Sequence, residues 1–277
     1  NDREDSPLHK DIKLLGVGKG RVAQAPLAQE FKRLFADEDA LGGARKAAQF
    51  REESKTFFVN YLKQVSSVFE TAWHGRKYSV ADEITITAGA TQAIITAILA
   101  VVHPGDEVIV LEPCYDSYVP NIVLAGSVAV RVPLTPGTFR PDFGKIAAAI
   151  TPKTRAILIN SPHNPSGTVW SAQDMLTLQE LLAPTNILLI SDEVYEHMVF
   201  DGAQHESVAR YPGLAERAFI VSSFGKTYHV TGWKVGTVAA PAPLTAEFRK
   251  VHQFNVFTVN TPMQYGLAAY MGNPAPY

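Results

Sequence analysis

The sequence predicts an α/β fold with a mostly parallel (mixed) sheet flanked by helices. Short aliphatic and β-branched runs alternate with helical segments from residue 82 onward, which favours a sheet covered on both faces. One of these runs, 187–190, is continuously apolar, as is typical of strands buried on both sides. The first 80 residues hold 14 Lys or Arg and 11 Asp or Glu, whereas the other 197 hold 11 and 16. We therefore expect the apolar core in the second part.

The predicted elements divide the chain into two regions. Residues 1–80 are expected to form a charged, helical N-terminal segment, with apolar residues such as Leu27, Phe31 and Leu34 at helical spacing. Residues 81–277 are expected to form one large domain. Its predicted helices are 91–102 and 171–182, the latter opened by Ser171 as the N-cap. Its predicted strands are 84–87, 107–111, 128–132, 155–160, 187–190, 218–221 and 235–239.

Composition excludes several classes of function. The formal net charge is −2 and the pI is near 6.5, so neither nucleic acid nor an anionic membrane is an expected partner. The single cysteine, Cys114, rules out an intrachain disulfide and a multi-cysteine zinc site, and we expect no metal. No apolar stretch is long enough to span a membrane. The first ten residues show no apolar signal core, so a cytoplasmic location is expected by default.

Two strand ends carry residues that suit an anion and a rigid polar contact. The first strand runs into Gly89, Ala90 and Thr91 at a helix start, where backbone N–H groups attract anions. A tight strand-to-helix turn would need the same small residues. The fourth strand continues into a loop with two prolines and Gly167, which holds Asn164 outside helical conformation.

Two further strand ends carry charged groups. Asp192 and Tyr195 follow the fifth strand, and a carboxylate in a partly dry pocket needs a cationic partner. Alternatively, Ser191 or Asp192 caps a helix and Glu193 is solvated. Lys226 follows the sixth strand among aromatic, hydroxyl and glycine residues, which suits a nucleophilic amine. The alternative is a surface lysine whose ammonium reaches solvent.

Together the four strand ends meet the needs of one cofactor. Pyridoxal phosphate requires an amine for covalent attachment, an anion facing its pyridine nitrogen, donors to its phenolate oxygen and an anion cradle for its phosphate. The chain offers one candidate for each of these needs.

The motifs resemble those of the class I, fold-type-I pyridoxal-phosphate aminotransferases. The resemblance is carried by Ala88-Gly-Ala-Thr91, Asn164-Pro-Ser-Gly167, Ser191-Asp-Glu-Val-Tyr195 and Ser222-Ser-Phe-Gly-Lys226, in this order. Within the family the chain is most similar to the methionine/kynurenine aminotransferase group, through Ser223-Phe-Gly-Lys-Thr-Tyr and Gly232-Trp-Lys-Val-Gly236. Residues 82–270 share the resemblance, which implies the large domain of that fold.

The resemblance also implies a role for each motif residue. Lys226 would bind the cofactor covalently and shuttle the proton, and Asp192 would pair with the ring nitrogen. Asn164 and Tyr195 would donate to the phenolate, and Asn164 would also face the substrate. Tyr115 would stack on the ring, although an aromatic residue there could equally belong to the core. The expected phosphate contacts come from Gly89, Ala90, Thr91, Ser223 and Lys234.

The implied reaction moves an amino group from an L-amino acid (methionine, aromatic or glutamine-like) to a 2-oxo acid, in a homodimer. A pyridoxal-phosphate C–S β-lyase would use the same cofactor machinery. A non-catalytic relative that binds the cofactor is the third possibility. The family's N-terminal glycine-proline and tyrosine-proline segments do not appear in residues 1–80. The family's small C-terminal domain, whose arginine clamps the substrate carboxylate, would follow Tyr277 and does not appear in the sequence either. The sequence is therefore expected to be either a fragment or a divergent relative.

Overall fold

The computed structural model describes residues 76–271. Seven strands form one sheet, and each is built from aliphatic and β-branched residues that suit a pleated, buried surface. The strands are β1 (Ile84–Thr87), β2 (Glu107–Glu112), β3 (Val128–Pro133), β4 (Thr154–Asn160), β5 (Leu188–Asp192), β6 (Ala218–Ser223) and β7 (Gly236–Ala239).

The sheet is mixed, with a parallel centre and one reversed strand. Its order is β1-β7-β6-β5-β4-β2-β3. β3, β2, β4, β5 and β6 pair in parallel, whereas β7 runs antiparallel to both β1 and β6. In the register of β4 and β5, Asn160 lies opposite Asp192. The carboxyl ends of three neighbouring parallel strands, β4, β5 and β6, thus deliver their following residues to the same edge.

The helices are α1 (Ala90–Val101), α2 (Tyr118–Leu124), α3 (Phe143–Ala149), α4 (Ala172–Leu182), α5 (Pro212–Ala215), α6 (Phe224–Thr227), α7 (Ala242–Asn255) and α8 (Thr261–Met271). Buried residues of α1 and Phe248 of α7 pack in one core cluster with alternate residues of β2, β4, β5, β6 and β7. Residues between these positions, such as Ile109 and Leu189, face the other side of the sheet and are also fully buried. Both faces are therefore covered, which confirms the predicted α/β class.

The predicted elements match the observed ones closely where the local pattern is strong. All seven strands are present within two residues of their expected bounds, and the helix predicted over 91–102 is α1. Ser171 caps α4 as expected, because its Oγ accepts from the Asp174 N–H while the Asp174 carboxylate accepts from the Ser171 N–H. The boundary near residue 80 stays a prediction, since residues 1–75 lie outside the described residues. No helix among residues 76–271 is long and apolar enough to cross a membrane.

Candidate active site

A single cavity lies at the carboxyl ends of the central strands and encloses about 680 Å³, including the solvent at its mouth. Every residue that the sequence analysis assigns to the cofactor site lines this cavity: Gly89, Ala90, Thr91, Tyr115, Asn164, Asp192, Tyr195, Ser223, Lys226 and Lys234. The structure thus brings together residues that are up to 145 positions apart, from Gly89 to Lys234.

One end of the cavity is positively polarised and suits an anion. Gly89 precedes α1 with φ +84°, and no side chain of the described residues caps this helix start. The first N–H groups of α1 therefore keep their hydrogen-bonding capacity. A Cβ on Gly89 would lie 3.4 Å from Lys234 Nζ, so the ammonium stands beside the same helix start. Ser223 adds a hydroxyl to the cavity wall. Helix dipole and ammonium together favour a phosphate here.

The cavity also has a buried anionic group, the carboxylate of Asp192 at the end of β5. Its side chain is 3 % exposed, and burial raises its pKa to about 6. Two hydrogen bonds stabilise the ionised form: Tyr118 Oη donates to Oδ2 at 2.6 Å, and the Val194 N–H donates to Oδ1 at 3.2 Å. The Lys226 charge also lowers the pKa. Near pH 7 this carboxyl is mostly ionised and can face a cationic ligand group.

The loop after β4 is held by side chains that the sequence motif does not reveal. The Asn160 Nδ2 donates to the Asp192 carbonyl at 2.8 Å, and its Oδ1 accepts from the Asn164 N–H at 2.6 Å. His163 Nε2 donates to the Pro113 carbonyl at 2.9 Å. Burial lowers the pKa of His163, so the ring is neutral and its Nδ1 lies 2.6 Å from Ser166 Oγ. Asn164 is thereby fixed relative to the end of β5.

Lys226 and three aromatic rings form the remaining wall. Lys226 lies in the short helix α6, directly after β6, and its Nζ is 5.5 Å from the centre of the Tyr195 ring. Tyr115 and Tyr118 meet edge to face with their ring centres 5.6 Å apart. The Tyr115 hydroxyl is 3.4 Å from Thr91 Oγ1. An amine and three phenols thus line the same cavity as the Asp192 carboxylate.

Two alternatives weighed for the β5 end are wrong. No helix follows Asp192, because residues 194–197 form a turn, so neither Ser191 nor Asp192 caps one. Glu193 is not solvated but fully buried: its Oε2 is 2.8 Å from His205 Nε2, and its Oε1 accepts from Ser191 Oγ and the Val208 N–H. The ligand atoms of Glu193, Glu196 and His205 lie within 4.8 Å of one another. We interpret the contact between Glu193 and His205 as structural, because it anchors the chain beyond Asp192.

Sequence reasoning missed several cavity residues. Tyr118, Asn160 and Thr231 line the cavity together with the apolar Ile94, Val194 and Val235. Asn160 had a usable signal, since it is the last residue of a buried strand and pairs with the position of Asp192. Tyr118 had only its proximity to Tyr115 in the sequence, which does not reveal that its hydroxyl reaches a carboxylate 74 residues away.

The chain belongs to the class I and II aminotransferases: the model of that family matches residues 43–276. The match begins well before residue 82, the first residue to which the sequence analysis assigned the resemblance. The chain is 52 % identical over 210 residues to a methionine aminotransferase of Escherichia coli, covering 76 % of this chain and 54 % of that one. It is 35 % identical to a kynurenine–oxoglutarate transaminase of Dictyostelium discoideum, covering 78 % and 53 %.

Solved structures agree with this assignment. A crystal structure of an Escherichia coli methionine aminotransferase superposes with a TM-score of 0.75 at 48 % identity, over 77 % of this chain and 56 % of that one. An aspartate aminotransferase of Thermus thermophilus with maleate gives 0.73 at 30 % identity, over 78 % and 56 %. The chain therefore spans about half the length of the relatives it matches.

Proposed function

We propose that the protein is a pyridoxal-phosphate-dependent aminotransferase. The observation that carries the proposal is one cavity with three groups at separate positions: the Lys226 amine, the buried Asp192 carboxylate, and the α1 start beside Lys234. These groups fit the aldehyde, the pyridine nitrogen and the phosphate of this cofactor. When bound, pyridoxal phosphate supplies an electron sink for the bond that breaks at the substrate Cα.

The residues of the chain would then divide the work. Ala90, Thr91, Ser223 and Lys234 hold the phosphate, and Asp192 keeps the ring nitrogen protonated by staying anionic. Asn164 and Tyr195 donate to the ring oxygen, and Tyr115 covers one ring face. Lys226 would anchor the cofactor through its amine. When that amine is free, it would accept the proton from the substrate Cα and donate it to the carbon of the cofactor.

The proposed substrates are an L-amino acid (methionine, aromatic or glutamine-like) and a 2-oxo acid. The names of the relatives, methionine aminotransferase and kynurenine–oxoglutarate transaminase, support this class. The C–S β-lyase alternative predicts ammonia and pyruvate instead of a new amino acid, so analysis of products from methionine and from a cysteine conjugate separates the two. A protein that binds the cofactor and forms neither product would be the non-catalytic relative.

We also propose that the whole protein is a homodimer. Phe254 and Phe257, near the end of α7, are 87 % and 79 % exposed in the described residues, as expected for a surface covered by a second copy. By their resemblance to the family, Phe254, Phe257, Pro262 and Gln264 belong to a segment that lies near a two-fold interface. Gln264 is buried in the described residues, and its Nε2 donates to the Val259 carbonyl. The cytoplasmic location stays a prediction.

Borohydride reduction of the cofactor-loaded protein, followed by peptide mapping, tests the proposal. We expect a pyridoxyl label on Lys226 in the wild type and none in Lys226→Ala, which still binds the cofactor through its phosphate. Lys250→Ala, which removes an exposed lysine of α7, should label like the wild type. A label on any other lysine of the wild type would overturn the assignment.

A further inference from the structure

We propose that Tyr118 is a positioning residue that orients the Asp192 carboxylate and keeps the shared proton on the cofactor ring nitrogen. The inference rests on the proposed function, because it needs pyridoxal phosphate in the cavity. Its structural basis is one hydrogen bond between two buried side chains: Tyr118 Oη donates to Asp192 Oδ2 at 2.6 Å. Tyr118 is the first residue of α2, so the bond connects this helix to the end of β5.

The Tyr118 hydroxyl is a hydrogen-bond donor that resists ionisation. Burial, followed by the neighbouring Asp192 charge, raises the pKa of Tyr118 well above its usual value. The hydroxyl therefore keeps its proton throughout the working range of an enzyme. Its ring meets the Tyr115 ring edge to face, with the ring centres 5.6 Å apart, and this contact restrains the position of the Tyr118 ring.

The carboxylate has two anchors and keeps acceptor capacity for a ligand. Tyr118 holds Oδ2, and the Val194 N–H holds Oδ1 at 3.2 Å. Because a carboxylate oxygen can accept about two hydrogen bonds, capacity remains for a donor in the cavity. Without Tyr118, the longer bond from the Val194 N–H would be the one hydrogen bond to this carboxylate among residues 76–271, so the plane of the carboxylate would be less well defined.

Three charged or titratable side chains act on Asp192, each from a different position. Tyr118 of α2 and Lys226 of α6 lower its pKa, whereas Glu193, the next residue, raises it. Burial is the largest influence and raises the pKa, the Tyr118 hydrogen bond is the largest opposing one, and the net value is about 6. Removing this bond would move the pKa further upward, into the range where the enzyme works.

That upward change matters because Asp192 and the ring nitrogen would share one proton. The proton resides on whichever of the two groups has the higher affinity for it. By stabilising the carboxylate, Tyr118 keeps the proton on nitrogen, and a protonated ring is the stronger electron sink. Tyr118 thus acts on the reaction through Asp192 without touching the substrate.

The test is nitrogen-15 NMR of the full-length holoenzyme loaded with ring-labelled pyridoxal phosphate, over a range of pH. In Tyr118→Phe the ring-nitrogen resonance should move from the position of protonated toward that of neutral pyridine, in the direction taken by Asp192→Asn. The kcat should fall about tenfold or more with little change in KM. Tyr211→Phe is the matched control, since it removes another tyrosine–carboxylate hydrogen bond, the partly buried one to Glu206, outside the cavity.

A second substitution tests the opposite direction. Difluorotyrosine at position 118 keeps the shape of the side chain and donates more strongly, so the ring nitrogen should stay protonated to higher pH. Identical resonances in the wild type, Tyr118→Phe and the difluorotyrosine protein would overturn the role of Tyr118 while leaving the proposed function intact. A wild-type protein that binds no pyridoxal phosphate would overturn both.

Discussion

The Asp192 carboxylate is costly to bury, and three contacts make its ionised form tolerable. Burial of an unpaired carboxylate raises its pKa by several units, and here the value stays near 6 because Tyr118, Val194 and Lys226 oppose the effect. A structural role alone would be met by an apolar residue at the end of β5. A hydrogen-bonded anion retained at the wall of a cavity is typical of a group that meets a cation in function.

Asp192→Asn should slow the chemical step much more than it weakens cofactor binding. The amide keeps the shape of the side chain but removes the negative charge that holds the ring proton. Its NH2 group also cannot accept one of the two hydrogen bonds that the carboxylate accepts from Tyr118 Oη and the Val194 N–H. Loss of one preorganised electrostatic partner costs about 10²–10³ in kcat. Single-turnover rates with methionine would measure the effect, and equilibrium dialysis of pyridoxal phosphate provides the binding comparison. Wild-type single-turnover rates in Asp192→Asn would contradict the role.

At the scale of elements, the position of Lys226 depends on the close contact between α6 and the 3₁₀ turn at residues 231–233. A Cβ on Gly225 would lie 2.8 Å from Thr231 Cα and 3.3 Å from its nitrogen. Backbone atoms cannot give way as a flexible side chain can. The glycine therefore allows α6 to pack where the Lys226 amine reaches the cavity.

Gly225→Ala should displace α6 and reduce covalent capture of the cofactor at Lys226. Gly232→Ala is the matched control in the same segment, because nothing lies within 4 Å of a Cβ there. Overpacking of this kind costs about 1–3 kcal/mol, so the melting temperature should also fall in Gly225→Ala and not in Gly232→Ala. Absorbance of the bound cofactor and thermal melting measure the two effects. Equal capture and stability in both variants would show that the contact is easily relaxed.

The end of β5 is anchored by the buried pair of Glu193 and His205. Burial lowers the pKa of His205, but the hydrogen bond to Glu193 and the Glu193 charge outweigh it, so the folded-state pKa is raised. A raised histidine pKa contributes stability that is complete below the unfolded value, near 6.5, and is lost as the pH rises through the folded-state value. The anchor is thus strongest in mildly acidic solution.

His205→Gln should lower the free energy of unfolding at pH 6 by about 1.5–3 kcal/mol, the contribution of a hydrogen bond to a charged group. The difference from the wild type should shrink at pH 9. Chemical denaturation at the two pH values measures it, with His103→Gln as the control, since His103 is largely exposed. A difference that is equal at both pH values would mean that His205 is neutral in the folded protein.

Whether a feature could be predicted from the sequence depends on how far apart along the chain the interacting residues lie. Strand bounds and the Ser171 cap depend on residues a few positions apart, so the local pattern predicts them. Tyr118 and Asp192, or Glu193 and His205, meet only after the chain has folded, and no local pattern marks these pairs. The cavity residues that the sequence analysis named were predictable because the carboxyl ends of parallel strands lie at one edge of the sheet. Of the helices in the described residues, α2, α3, α5, α6, α7 and α8 were not predicted.

At the scale of the whole molecule, the proposed homodimer would cover the exposed aromatic residues near the end of α7. Phe254 is 87 % and Phe257 is 79 % exposed, whereas the other aromatic side chain of α7, Phe248, is fully buried. Burying one such side chain contributes about 1.5–3 kcal/mol. In a two-fold interface each residue acts twice, so its contribution to association is doubled.

Phe254→Ser should therefore weaken self-association of the full-length protein by about 100-fold or more, since every 1.4 kcal/mol changes the dissociation constant about tenfold. Sedimentation at several protein concentrations measures the dissociation constant. Phe200→Ser is the matched control, because Phe200 is 76 % exposed but lies in the loop after β5. If the dimer completes the site, activity should fall with dilution in Phe254→Ser at concentrations where Phe200→Ser and the wild type remain active. A wild-type monomer with full activity would refute both the interface and its requirement for catalysis.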